Sequence, residues 1–274
     1  MITALKTDFK YKNNGKLNFL DRLKKDEITI DFLKARGVCL KLVTYKSYKK
    51  KISLSKLDCA TGHHKTRLLC AENLKFPTGS GYKRFYTPYF SARLCTNMAL
   101  EIAKNCKTPQ NLKIGLYDIN GDFSDLPFHL LKYVQALVIV TENNRVYEAE
   151  LDYLMNELGA TAIVTEKKSE LGNCNFVIAP MPIKESLPVK SDAVVLTNEK
   201  PLVQQSGLVY YNYQIKMPNG FAKIKPDNID EVYFCSALYV LEKQYELGTI
   251  VPLSCSNSSS SQTVNSICKY FDRA

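Results

Sequence analysis

From Leu112 onward the chain alternates short apolar runs with stretches whose apolar residues recur every three or four positions. LKIGLYD (112–118), ALVIVTE (136–142), ATAIVTE (160–166), NFVIAP (175–180) and AVVLT (193–197) are short and mostly apolar. Strands covered on both faces of a sheet read in this way. Between the first two runs, Ser124 can cap a helix through Leu126, Leu130, Leu131 and Val134, with Pro127 tolerated in its first turn. Between the second and third, Tyr147, Leu151, Leu154, Met155 and Leu158 share one helical face, and Gly159 follows as a stop. Alternating strand and helix predicts a parallel α/β sheet of about five strands flanked by helices, although the links before the last two strands are short for full helices.

The residues ahead of this core predict a smaller mixed α/β domain. ITALKTDFKY and KLNFL flank the turn Asn13, Asn14, Gly15 and read as a hairpin. A short helix is expected from an Asp26 cap through Phe32, Leu33 and Ala35 to a Gly37 stop, followed by the strand VCLKLVTY at 38–45. Further strands are expected around Lys51–Leu54 and Thr66–Ala71. A helix then begins at Thr87 and Pro88, with Ser91, Leu94, Cys95, Met98 and Ile102 on its buried face. KTPQN at 107–111 closes that helix and places a boundary between domains 1–107 and 108–274. Past Thr197, LVYYNYQIKM and FAKIK around Pro218, Asn219 and Gly220 predict a second hairpin. Two helices end the chain, one from an Asp227 cap to Gly248 and one capped by Ser261, the last serine of a polar loop at 254–262.

Charge sharpens this division. Residues 1–110 carry 23 Lys and Arg against 8 Asp and Glu, whereas residues 111–274 carry 14 against 19. A basic part of this size suits a small anionic ligand, nucleic acid, or an acidic surface, which includes the rest of this chain; nucleic acid is the less favoured partner. No signal-type apolar run opens the sequence and no stretch approaches a membrane span, so a cytoplasmic protein with no membrane partner is expected. The nine cysteines lack the regular spacing of a disulfide framework and read as reduced thiols.

Ligands of doubly wound sheets bind outside the carboxyl ends of the strands. That rule selects the loop Asp118–Ser124 and the strand ends Thr141–Asn144, Thr165–Lys168 and Ala179–Ile183. With a Gly-containing loop after LKIGLYD and Glu142 standing 21 positions beyond Gly121, the segment resembles an NAD(P)-binding Rossmann domain over about residues 112–197. The runs LKIGLYD, ALVIVTE and TAIVTE are also similar to those of Rossmann-like proteins of low-GC anaerobic bacteria. The resemblance implies a Rossmann-like fold with cofactor contacts from Asp118, Asn120, Gly121, Thr141, Glu142, Asn143 and Thr165. The loop DINGDFSD has one glycine where the GxGxxG fingerprint has three, and it carries Asp118, Asp122 and Asp125. Carboxylates there repel a diphosphate, which disfavours NAD or NADP in the usual mode.

Two further groupings carry chemistry. His63, His64, Lys65 and Arg67, with Lys83 and Arg84 beside a glycine-rich turn, form a candidate anion site. Cys59, His63, His64 and Cys70 match no zinc spacing, and Asp118, Asp122 and Asp125 match no EF-hand, so no metal is assigned. GxSxG, HExxH, CxxC and P-loop motifs are absent, and His129 falls inside a helix where packing is expected. The preferred reading is a ligand-binding or regulatory protein with a degenerate Rossmann-like site. The alternatives are an NAD(P)-dependent oxidoreductase resembling the shikimate dehydrogenase type, its substrate in an interdomain cleft, and a nucleic-acid-binding protein.

Overall fold

The computed structural model describes residues 1–10, 24–48, 52–148 and 161–273. The chain forms two compact units, Met1–Thr87 with Met217–Leu247 and Pro88–Lys216 with Gly248–Ala274.

In the first unit, β1 (Ile2–Phe9), β2 (Glu27–Ala35), β3 (Val38–Ser47) and β4 (Leu69–Cys70) form a sheet of order β2-β3-β1-β4. β1 runs parallel to β3 and β4, and β2 antiparallel to β3. The helix expected between Asp26 and Gly37 is therefore a strand. EITIDFLKA carries the β-branched residues Ile28, Thr29 and Ile30, and Arg36 and Gly37 both take positive φ, 46° and 79°, as a two-residue hairpin turn requires. Asp26 caps no helix; its carboxylate accepts from the hydroxyls of Tyr45 and Ser47 at 2.8 and 2.9 Å. Of the strand expected at Lys51–Leu54, Lys51 lies outside the described residues, Ile52 and Ser53 are irregular, and Leu54 opens helix α1 (Leu54–Thr61), whose Leu57 and Ala60 pack with Leu5, Val43, Tyr45 and Leu68. Of the hairpin expected at the start of the chain, the turn at Asn13–Gly15 and KLNFL lie outside the described residues.

The second unit opens with α2 (Tyr89–Asn105), which buries Leu94, Cys95, Met98 and Ile102 as its periodicity requires. Six parallel strands follow: β5 (Ile114–Tyr117), β6 (Ala136–Val140), β7 (Thr161–Thr165), β8 (Phe176–Ala179), β9 (Val194–Thr197) and β10 (Leu208–Tyr210). Their spatial order is β10-β9-β8-β5-β6-β7. Counted from β5, this is the 3-2-1-4-5-6 order of the Rossmann fold, with its switch point between β5 and β8. The expected five strands are all present, and LVY at 208–210 adds a sixth beside β9. That addition removes the hairpin expected around Pro218, Asn219 and Gly220. β11 (Asn212–Gln214) pairs instead with β12 (Ser254–Ser256), which pairs with β13 (Ser261–Gln262), and Ala222–Ile224 is a 3-10 turn.

Among the described residues the crossover helices are short. α3 (Leu126–Leu130) has five residues, and Ser124 does not stand at its cap position. The helix expected at 147–158 begins with the turn ending at Glu148 and otherwise lies outside the described residues. The β7–β8 link is a 3-10 helix (Lys168–Asn173), and the β8–β9 segment contributes Ile183, Leu187 and Val189 to a cluster with Tyr117, Val177 and Val195. The other face is covered by α2 and by α5 (Val264–Phe271), with Phe271 5.5 Å from Phe176. In the first unit, α4 (Glu231–Leu241) is capped by Asp230, which accepts from the Tyr233 N–H, rather than by Asp227. α5 is capped by Thr263, in a reciprocal pair with Ser266, rather than by Ser261.

The short β9–β10 link closes through Gly207, at φ 87°, where an added Cβ would lie 2.7 Å from the Ala193 carbonyl and 3.0 Å from that of Lys190. Both obstacles are backbone. Gly207→Ala is expected to cost about 3 kcal/mol, from the left-handed conformation and the overlap together. A lower midpoint in urea unfolding with an unchanged slope is the expected readout.

Candidate functional site

The carboxyl ends of β5, β6 and β8 frame the switch point, and the first residue past β5 is Asp118. It is 1% exposed. Its carboxylate accepts from the backbone N–H groups of Asp122 and Phe123 at 3.1 and 2.8 Å and from the Tyr147 hydroxyl at 2.6 Å. In a dinucleotide-binding Rossmann domain the N–H groups of this turn face the diphosphate. Here a side chain of the protein already holds two of them.

The neighbouring loop is closed onto this one by one main-chain and two side-chain donors, all bonding to main-chain carbonyls. Glu142 N donates to Ile119 O at 3.0 Å, Thr141 Oγ1 to the same carbonyl at 3.2 Å, and Asn143 Nδ2 to Asn120 O at 3.1 Å. Asn143 N donates to Thr141 Oγ1 at 3.0 Å, and Thr141 N to Thr165 O at 3.0 Å. Gly121, at φ 77°, permits this closure, because a Cβ there would meet Val146 Cγ2 at 2.7 Å. The structure thus brings Asp118, Asn120, Gly121, Thr141, Glu142, Asn143 and Thr165 together along one edge. Glu142 and Asn120 are exposed, Thr141 is buried, and Thr165 lies at the end of β7 with its hydroxyl accepting from Lys167 N.

Of the other two acids in the loop, Asp122 accepts from Asn120 Nδ2 at 3.3 Å and Asp125 lies 3.8 Å from Arg93. Both are exposed. On the opposite side of the switch point, the Tyr117 hydroxyl donates to Glu185 at 2.7 Å, and Lys168 pairs with the same carboxylate. Those two partners, Lys168 foremost, hold the Glu185 carboxyl below its ordinary range, while burial and then Glu185 raise the Tyr117 phenol.

Two polar side chains at this edge have buried atoms without a partner among the described residues, Asn144 at its Oδ1 and Asn198 at both polar atoms. Asn198, the first residue past β9, is 3% exposed, and neither its Nδ2 nor its Oδ1 has a hydrogen-bond partner among the described residues. Its position directly after the apolar run AVVLT was the available sequence signal, since it stands at a strand carboxyl end. Tyr147 carried no such signal, because its place in a helical apolar pattern conceals the role of its hydroxyl.

In the first unit, the two basic segments meet. Lys83 N donates to Lys65 O at 2.8 Å and Leu68 N to Lys83 O at 2.9 Å. Lys65 pairs with Asp58 at 3.1 Å, and the Arg84 guanidinium lies 3.8 Å from the Tyr233 ring centre. His63, Arg67 and Lys83 are exposed. Burial first, then the positive charge of Arg67, Lys41, His63 and the chain terminus, lowers the pKa of half-buried His64.

Among the described residues, no three His, Cys, Asp or Glu side chains converge as a metal site would require. His129 is exposed, edge-on to Phe128 at 5.5 Å, rather than packed in the core. Seven of the nine cysteines are buried, and burial raises Cys70 and Cys174 to about 11 and Cys95, Cys235 and Cys255 to about 12. Such thiols stay protonated near neutrality and are poor nucleophiles. No helix among the described residues is long and apolar enough to cross a membrane.

Strand order and site together define an α/β protein with a Rossmann-like domain whose first-turn donors are held internally. No protein-family model matches the sequence, and no curated protein is similar to it. Three solved structures with some likeness are dehydrogenases or reductases. Δ(1)-pyrroline-2-carboxylate reductase of Thermococcus litoralis, in complex with NADH and L-proline, is 12% identical over 45% of this chain and 41% of its own, with a TM-score of 0.29. L-tryptophan dehydrogenase of Nostoc punctiforme is 11% identical over 85% and 75%, with a TM-score of 0.30. Quinate dehydrogenase of Corynebacterium glutamicum, in complex with NAD, is 11% identical over 72% and 79%, with a TM-score of 0.30. The chain spans less than half the length of the first of these.

Removing the Asp118 carboxylate leaves two main-chain N–H groups and the Tyr147 hydroxyl without their acceptor. Asp118→Ala is expected to cost about 3 kcal/mol and Tyr147→Phe about 1 kcal/mol. In the double variant the sum is expected to fall short, because both changes break one shared bond. Chemical denaturation of the three variants measures each value.

Proposed function

We propose that this protein binds a small molecule at the carboxyl edge of its Rossmann-like sheet, by contacts other than the usual diphosphate cradle. The observation that carries this reading is the buried, unpartnered carboxamide of Asn198 past the end of β9. Burying an amide without partners is costly, so a group that supplies one donor and one acceptor gains what the fold leaves unmet. A nucleobase edge or a primary amide has that pairing. The Asp118 carboxylate works against a phosphate in the first turn, because it already accepts from Asp122 and Phe123. The exposed His63, Arg67 and Lys83 of the basic unit suit contact with an anionic partner.

A second reading, an NAD(P)-linked oxidoreductase, draws support from the 3-2-1-4-5-6 strand order and from the exposed Glu142 directly after β6. Under that reading, Glu142 takes the ribose hydroxyls, and the phosphates find donors other than Asp122 N and Phe123 N.

Thermal shift separates the two, since a ligand held by the folded state alone raises the melting temperature. Adenosine and nicotinamide, which present paired donors and acceptors, are the probes for the first reading, and NADH and NADPH for the second. Asn198→Leu is expected to raise the melting temperature of the free protein by relieving a buried unpaired amide, and to abolish any gain from adenosine or nicotinamide. A saturable shift with NADH that survives Asn198→Leu and is lost in Glu142→Ala would replace the first reading with the second.

A further inference from the structure

A cavity of about 600 Å³ lies on the α2 and α5 face of the six-stranded sheet, at its β10 edge. It takes part in nothing described above. Val194 and Leu208, paired in register between β9 and β10, supply apolar floor with Ile267 of α5. Tyr210 is buried at that floor, whereas Tyr270 stands at the rim with its hydroxyl donating to the Asp192 carbonyl at 2.7 Å. Lys269 and Arg273, four residues apart at the end of α5, also line the cavity, and among the described residues neither has an ion-pair partner.

Among the described residues, the nearby carboxylates Asp272 and Asp192 form no ion pair with these two cations. Asp272 lies between them in sequence, but its Oδ1 accepts from Lys107 N, Thr108 N and Thr108 Oγ1 at 3.0, 3.1 and 2.9 Å. That binds it to the start of the β5 approach. Asp192 lies beside Tyr270, whose phenol is raised by burial first and then by that carboxylate. Ser266 is held by the reciprocal cap with Thr263. An apolar floor with Tyr210 in it, Tyr270 at its rim and two cations unpaired among the described residues at one end has the build of a pocket for an amphipathic anion, and its volume falls in the range of small-molecule sites. Cations at a helix end also complement the helix dipole. The dipole does not account for a concave apolar floor beneath them.

We infer that this cavity binds an aromatic carboxylate, its ring against Tyr210, Tyr270 and the Val194–Leu208–Ile267 floor, and its carboxylate toward Lys269 and Arg273. This site is separate from the strand carboxyl edge, and it stands or falls independently of the function proposed above.

The test uses the full chain and the fluorescent aromatic anion 1-anilinonaphthalene-8-sulfonate. Saturable fluorescence enhancement is expected, with at least tenfold weaker binding in Lys269→Glu/Arg273→Glu and a similar direction, smaller in size, in Lys269→Gln/Arg273→Gln. Both positions are exposed, so these variants are expected to keep the wild-type circular dichroism and melting temperature. Lys104→Glu/Lys132→Glu, which changes the same charge elsewhere on the unit, is expected to bind within twofold of wild type. Cinnamate is expected to displace the dye and its neutral isostere cinnamamide to fail. The inference is overturned by absent dye binding, by an unchanged affinity in both Lys269/Arg273 variants, by equal weakening in the control pair, or by displacement that does not distinguish the acid from the amide.

Discussion

The architecture of the second unit depends on one buried anion. Asp118 ends the first strand of a parallel sheet and points its carboxylate at the N–H groups of the turn that follows. Those groups have no helical acceptor, because α3 begins only at Leu126 and is a single short turn. An internal carboxylate satisfies them, and Tyr147, from the element that follows β6, donates to the same carboxylate. One side chain therefore ties together the end of β5, the turn beyond it and the crossover after β6. The loops that in a dinucleotide-binding domain stay open to a ligand are here bonded to each other.

This closure changes which effect the proposed reading sets against a phosphate in the first turn. Read from sequence, three aspartates in one loop suggest repulsion by accumulated charge. Asp122 and Asp125 are exposed, however, and each has a partner in Asn120 or Arg93. Charges in water interact by only about 1 kcal/mol at 4 Å, and salt screens them within about 10 Å. Occupied donors are the stronger obstacle, because a phosphate would have to displace a carboxylate already bonded to two backbone N–H groups, that of Phe123 buried, and a hydroxyl. Under the proposed reading, occupied donors rather than accumulated charge are what a phosphate meets in this loop.

What the sequence disclosed follows burial. The runs ALVIVTE and NFVIAP are apolar because both faces of their strands are covered, and that signal does not depend on tertiary detail. α2 was legible for the same reason, with Leu94, Cys95, Met98 and Ile102 all turned inward. Residues 27–35 were not. Their pattern lacks a buried face, since Ile30 and Phe32 are 41% and 58% exposed on an edge strand, and Gly37 is equally suited to a helix stop and a hairpin turn. The sixth strand was hidden because LVY is only three residues long and runs straight into NYQ, which pairs in a different sheet. At the site, position was readable and bonding was not. Strand ends located Asp118, Thr141, Glu142 and Thr165, but nothing in residue order shows that the Asp118 carboxylate turns inward or that Asn198 is buried without a partner.

The same logic explains how strand faces are shielded where a crossover lacks a helix. Two of the five crossovers, β8 to β9 and β9 to β10, contain no helix, so other segments must shield strand faces. Ile183, Leu187 and Val189 do so on one side as single apolar anchors in an irregular chain, fixed by Gln205, which accepts from Leu187 N and donates to the carbonyls of Glu185 and Val203. On the other side the task falls to α2 and α5, which precede and follow all six strands in sequence. A face sealed by chain-distant helices closes well where they meet, as at Phe176 and Phe271, and less well toward the β10 edge, where only α5 and the β13 strand remain. The cavity beside Tyr210 and Tyr270 is thus a geometric consequence of replacing crossover helices with short links. Its cations are a separate feature of α5, which no packing requirement of the sheet dictates.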